Sequence, residues 1–95
     1  MIEIRFEKEA LRAAAYDVQD SASVLVGTCT YEPDGPDWAI MHTNVDPAYG
    51  GQGIAGRLVA AVVDAARAEG VKVVPVCSYA VRQFEKHAEY RDVLR

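Results

Sequence analysis

Apolar and polar residues alternate through the first half of the chain with the two-residue period of extended strands. Ile2 to Phe6 is one such run and predicts a short strand. Arg12 to Val18 is another, with a helix as its rival because Ala13, Ala14 and Ala15 are good helix formers. Gln19-Asp20-Ser21 is a turn before the clearest run, Val24 to Tyr31. Its alternation sets Val24, Val26, Thr28 and Thr30 on one face and Leu25, Gly27, Cys29 and Tyr31 on the other. Glu32-Pro33-Asp34-Gly35-Pro36 closes a hairpin, since these residues favour tight turns. Trp38 to Val45 is the returning strand, with Ile40, His42 and Asn44 on a common face.

After residue 50 the period changes. Ile54, Leu58, Ala61, Val62 and Ala65 recur at helical spacing, Arg57, Asp64 and Arg67 are left for the wet side, and Gly70 stops the helix. Val71 to Val76 returns to an extended pattern. Strand, helix and strand in succession predict a right-handed crossover between parallel neighbours. Pro75 has no N–H to give a ladder, which suits a strand end that parts from its neighbour or a plain edge strand. A last helix is expected from Ser78 to Lys86, with the Ser78 hydroxyl as N-cap and His87 finishing it. The predicted architecture is α/β (α+β): a single small domain over residues 1–95, with a mixed, mostly antiparallel sheet, a central helix crossover and a C-terminal helix.

Gly50-Gly51-Gln52-Gly53-Ile54-Ala55-Gly56 lies where the strand hands over to the central helix. Glycines let the backbone approach an anion closely, and the first turn of a helix offers unpaired N–H groups at the positive end of its dipole. The stretch is a candidate pyrophosphate cradle. Gly51, Gly53 and Gly56 also spell G-x-G-x-x-G, but a dinucleotide site needs an acid ending the next strand, and Pro75-Val76-Cys77 supplies none. The P-loop pattern fails too, because no Lys-Ser or Lys-Thr pair follows the glycines.

A third pattern fits. Val45-Asp46-Pro47, then Gly50 to Ala55, then helix resembles the coenzyme A loop of the GCN5-related N-acetyltransferases, which reads Gln/Arg-x-x-Gly-x-Gly/Ala. Gly53 and Ala55 match its last two fixed positions, whereas Gly50 stands where Gln or Arg is usual. His42-Thr43-x-Val45 before the loop, with Cys77-Ser78-Tyr79-Ala80 and Phe84-Glu85-Lys86-His87 after it, is similar to a small subfamily of minimal acetyltransferase-like proteins.

The resemblance implies that the parallel strands splay apart and admit the pantetheine arm of acetyl-CoA. It implies that Thr43, Asn44 and Val45 bond the acetyl and pantetheine groups through the main chain, and that Gly50, Gly51, Gln52, Gly53, Ile54 and Ala55 hold the pyrophosphate. Its members commonly protonate the leaving thiolate with a tyrosine just before Glu-Lys in the last helix, and this chain has Phe84 there. Cys77, where strand passes into helix, is the leading replacement: the helix dipole favours a thiolate there, which would accept the acetyl group or line its pocket. A small buried hydrophobe is the plainer reading of the same residue. Tyr79 offers a phenol to the same site, and His42, an imidazole titrating near neutrality, suits a general base. The implied activity is transfer of an acyl group from acetyl-CoA to an amine. The short chain leaves no room for the two helices that larger relatives hold between their first strands, so the open site suits a protein or peptide acceptor. A non-catalytic acyl-CoA-binding or interaction module is the rival reading, and Phe84 and Gly50 favour it.

Composition narrows the remaining classes. A chain of 95 residues with 51% hydrophobic content forms one core. A net charge of −4 and the lack of a lysine or arginine run argue against nucleic-acid binding. Arg82, Lys86, His87, Arg91 and Arg95 gather towards the C-terminal end, either near a ligand at Cys77 or as a solvated helix face. No stretch approaches the roughly 20 apolar residues that span a bilayer, and the N-terminus lacks a signal pattern, so a cytoplasmic protein without membrane partners is expected. Cys29 and Cys77 are too few for a disulfide framework and lack zinc spacing, so free thiols and no metal are expected. Cys29 reads as core, and Tyr31 and Trp38 as packing residues.

Overall fold

In a computed structural model describing residues 1–95, the N-terminal alternation forms β1 (Ile2–Glu7) and β2 (Arg12–Gln19), paired antiparallel. The alanine run is therefore strand. Pairing on both sides overrides its helical propensity, and Ala13 and Ala15 are fully buried beneath the central helix, where larger side chains would not fit. β3 (Ala22–Asp34) and β4 (Asp37–Val45) continue the antiparallel sheet, and β5 (Val73–Pro75) adds to β4 in parallel, giving the order β1-β2-β3-β4-β5. α1 (Ile54–Glu69) is the crossover before β5, and α2 (Ser78–Lys86) follows it. A 3-10 turn, Ala88–Val93, closes the chain against both helices.

The core is one cluster on one side of the sheet. α1 buries Ile54, Leu58, Val59, Val62, Val63 and Ala66, and α2 adds Ala80 and Phe84, against Ala13, Cys29, Tyr31 and Ile40 of the strands. Full burial of a side chain such as Leu58 is worth about 1.5–3 kcal/mol. The opposite face carries no helix. Gly70 ends α1 in the left-handed conformation at φ 72°, its N–H returning to Ala66 O and Arg67 O. No helix is long and apolar enough to cross a membrane.

Two insertions break the predicted alternation. Val26 is an extra residue of β3 opposite β2, since Ala15 faces Gly27 while Tyr16 faces Leu25. Val26 is consequently buried on the helix side and Leu25 lies with Thr28 and Thr30 on the bare side, which corrects the expected grouping. Met41 is an extra residue of β4, since Thr30 faces His42 while Tyr31 faces Ile40. Ile40 is fully buried and His42 is exposed, so the shared face expected for these two does not form; His42 shares its face with Asn44 alone.

β5 is also shorter than the expected Val71 to Val76. Val71 N–H returns to Ala66 O at 3.0 Å, Lys72 N–H goes to the Asp37 carboxylate at 2.9 Å, and Val76 and Cys77 both close on Ile40 O. α2 begins where expected but is capped one residue earlier. Cys77 is the N-cap, its sulfur accepting the Ala80 N–H at 3.4 Å, and Ser78 is the first helical residue.

Candidate active site

Beyond β4 the chain turns at Asp46, whose carboxylate accepts the Ala48 N–H at 2.9 Å, into a 3-10 turn, Pro47–Tyr49. Gly50 closes this turn on Pro47 O at 3.1 Å. Gly51 and Gly53 then adopt left-handed backbone at φ 78° and 72°, a conformation costing other L-residues about 1–2 kcal/mol. Gly53 precedes α1 and brings no side-chain cap, and no acidic residue occupies the first turn. The first helical bond is Arg57 N–H to Gly53 O at 3.2 Å, so the amides of Gly51, Gln52, Gly53, Ile54, Ala55 and Gly56 have no acceptor in the chain. Six consecutive donors thus stand unengaged at the positive end of α1.

Beside this loop β4 loses its outer neighbour. β5 pairs with Trp38, Ala39 and Ile40 only, and the last links are Val76 N–H and Cys77 N–H, both to Ile40 O, at 3.0 and 3.2 Å. Asp46 N–H donates to Val26 O at 2.8 Å, towards β3. Strand alternation then directs the main chain of Asn44 into β3 as well and that of Thr43 and Val45 to the open edge. Asn44, expected to bond the ligand alongside these two, presents only its side chain, on the bare face.

At the closed end of the gap stands a cluster of sulfur and oxygen. Thr43 Oγ1 lies 3.5 Å from Cys77 Sγ and donates to Cys29 Sγ at 3.6 Å. Cys29 is wholly buried, and that burial pushes its thiol up to about 11. Cys77 is half-buried, and both thiols are free. The Tyr79 hydroxyl, in the first turn of α2, lies against α1, 3.5 Å from the point where a Cβ on Gly56 would sit. Burial raises the Tyr79 pKa, and the Arg82 charge partly opposes this. Phe84 points into the core with its ring 5.4 Å from that of Tyr90, away from these groups.

The structure therefore brings Cys77, Tyr79, Thr43 and the open edge at Val45 to the helix side of β4, next to the Gly50–Ala55 loop. It does not bring His42 to that side. His42 stands opposite Thr30 on the bare face, with its strand neighbour Asn44 two residues on. Cys29 takes part in the cluster although its sequence surroundings read only as core; the extra residue at Met41 is what sets it opposite Thr43. The larger of the two surface pockets, about 310 Å³ between Pro75, Val81, Phe84, Glu85, Arg91 and Leu94, is lined by none of these groups.

The sequence pattern describing the GCN5-related N-acetyl-transferase family matches residues 15–93. Among solved structures the chain is similar to the NMR solution structure of a GCN5-like N-acetyltransferase candidate from Staphylococcus aureus. The two are 32% identical with a TM-score of 0.70, over 98% of this chain and 87% of that one. No curated protein matches. With the match running from β2 to the last turn, and a fold of the same shape in such a relative, the chain belongs to the GCN5-related N-acetyltransferases, a family of acyl-transferring enzymes.

Proposed function

We propose that the protein transfers an acetyl group from acetyl-CoA to an amine, the acceptor being a protein or peptide. The observation that carries this reading is the row of unengaged amides from Gly51 to Gly56 beside the bare edge of β4. A diphosphate satisfies such donors, and the Thr43 and Val45 main chain is free to bond an extended amide-bearing arm. Bound there, acetyl-CoA supplies an acyl group activated as a thioester.

The chain's own groups fall into three roles. Cys77 Sγ, as thiolate, forms a bond to the acyl carbon while the bond to the departing sulfur breaks. Tyr79 gives that sulfur its proton and regains one from solvent. His42 takes a proton from the acceptor amine on the bare face; the neutral amine then passes the open edge of β4 to the helix side and removes the acyl group from Cys77, restoring the thiolate. The helix-free face admits a bulky acceptor, which is why a protein or peptide is preferred to an enclosed metabolite. Two free thiols accord with a reducing compartment such as the cytoplasm.

A second reading, a non-catalytic acyl-CoA-binding module, is favoured by one observation: Phe84 replaces the usual acid and faces Tyr90 in the core. Incubation with acetyl-labelled acetyl-CoA separates the two. Label on Cys77, or on an added peptide with a rate limb near neutral pH that His42→Ala abolishes, supports the enzyme. Saturable binding without any transfer supports the module, and no binding at millimolar concentration overturns both.

A further inference from the structure

Thr43 Oγ1 is hydrogen-bonded to both cysteines, at 3.6 Å from Cys29 Sγ and 3.5 Å from Cys77 Sγ. A hydroxyl has a single proton and two acceptor positions. It cannot donate to both sulfurs at once, so the direction of one bond fixes the other. With Cys77 as a thiol, Cys77 S–H donates to Thr43 and Thr43 O–H donates to Cys29. With Cys77 as a thiolate, Thr43 O–H turns to Cys77 and the Cys29 S–H turns to fill the vacated lone pair.

We infer that Cys29, Thr43 and Cys77 form a reversible hydrogen-bond relay in which Thr43 is the positioning residue that lets Cys77 alternate between thiol and thiolate. No proton leaves the relay from Cys29; only the orientation of two hydrogens changes, while the Cys77 proton passes to solvent. The buried Cys29 has the property this requires, because a thiol kept neutral by its surroundings is always able to donate. Ala80 N–H, 3.4 Å from Cys77 Sγ, supplies the thiolate with a second donor that needs no reorientation.

Few other groups face this sulfur. α2 presents Tyr79 and, further out, Arg82. β3 presents Cys29 and β4 presents Thr43, with His42 on the far face. β5 consists of Val73, Val74 and Pro75, and the sheet-facing side of α1 is apolar. The relay is thus the main polar contact that a substitution at residue 43 would alter.

The inference rests on Cys77 being a reactive group of the site, and its test needs no acetyl-CoA. The rate of iodoacetamide alkylation at Cys77, followed by mass spectrometry across pH 5 to 10, reads thiolate formation directly. Thr43→Val keeps the shape and removes the hydroxyl. Its profile is expected to move to higher pH, with alkylation near neutrality falling about tenfold, the weight of one charge-assisted hydrogen bond. Thr43→Ser should restore the parent profile, and Cys29→Ala should move it in the same direction as Thr43→Val, by less. A purely structural Thr43 would lower the melting temperature without moving the profile. Superimposable profiles for parent, Thr43→Val and Cys29→Ala overturn the relay; should Thr43→Val not fold, Cys29→Ala against Cys29→Ser decides alone. Absence of acetyl transfer to Cys77 would sink the acyl-carrier reading and leave the alkylation result standing.

Discussion

Gly56 is the last of the four glycines between residues 50 and 56, yet it differs physically from Gly51 and Gly53. It lies inside α1 without the positive φ of the other two. A methyl added there would sit 3.5 Å from Tyr79 Oη and 3.7 Å from Gln83 Oε1, ordinary contact distances that require no movement. Glycine destabilises a helix by about 0.5–1 kcal/mol relative to alanine. Gly56→Ala is therefore expected to stabilise the protein by about 0.5–1 kcal/mol, raising Tm by about 2–8 °C for a domain of this size. Gly53→Ala is the contrasting case. Nothing stands within 4 Å of its Cβ position, but φ is +72°, so the methyl costs about 1–2 kcal/mol through the backbone alone. Urea unfolding of both variants, read as a shift in midpoint at constant slope, measures the pair. A loss of more than about 0.5 kcal/mol in Gly56→Ala would refute the reasoning, because it would show that the α1–α2 contact needs a bare Cα and not merely tolerates one.

Three further perturbations test separate parts of the structure. Gly50→Arg restores the side chain usual at this place in the resembling pattern; its backbone angles, φ −63° and ψ 153°, are open to any residue, and the new Cβ would sit 3.3 Å from Pro47 O, so the 3-10 turn must give by a few tenths of an ångström. Acetyl-CoA binding is expected to tighten about fivefold, or about 1 kcal/mol, by calorimetry, and unchanged affinity would place the diphosphate elsewhere. Tyr31 is buried with a hydroxyl that has no partner, so Tyr31→Phe is expected to stabilise by about 1 kcal/mol in the same urea assay, and a loss of stability would mean that the hydroxyl is bonded. The Glu7 carboxyl is held below its ordinary value of 4.5 by the Tyr16 phenol and then by Arg12. Such a group contributes stability that is present above pH 4.5 and lost as pH falls through its lowered folded-state value. Glu7→Gln should therefore lose stability less steeply than the parent below that pH, and parallel curves would show that the carboxylate is not held.

Periodicity made α1 and the strands β1, β3 and β4 legible, since these runs repeat their pattern; β2 stayed open to a helical reading because of its alanines, and β5, three residues long, was placed only roughly. What it could not show were single inserted residues. Val26 and Met41 carry no local mark of a bulge, yet each reverses the side on which its neighbours emerge. Pairing outward from Asp34 and Asp37 without the extra residue would have set Cys29 against His42, and the contact with Thr43 was therefore invisible. The cap of α2 escaped for a different reason: a hydroxyl is the better acceptor, so Ser78 was preferred, but Cys77 has the extended backbone, φ −68° and ψ 146°, that a capping residue needs. The glycine loop was legible because its conformational demand is written directly in residue type.

The bulge at Met41 has a chemical consequence for the proposed reaction. Without it, strand alternation would carry the His42 imidazole to the helix side beside Cys29 and send the Thr43 hydroxyl to the bare face. With it, one edge of β4 presents the hydroxyl to Cys77 on one side and the imidazole to solvent on the other. The proposed transfer therefore requires the amine to meet the base on the bare face and then pass the open edge of β4, because the thiol is sheltered on the helix side. The bare face near His42 is walled by an organised polar row, in which Glu7 faces Arg12, Arg12 faces Thr30 and Thr30 faces His42. Arg12 and Glu7 are joined at 2.7 Å, and Arg5 lies over the Tyr16 ring at 4.3 Å. Arg12 is already paired with Glu7, and Arg5 with the Tyr16 ring, so they offer an acceptor a pre-arranged surface and not a set of free charges. Under the proposed function, selectivity for an acceptor would then come from shape and hydrogen bonding along this row.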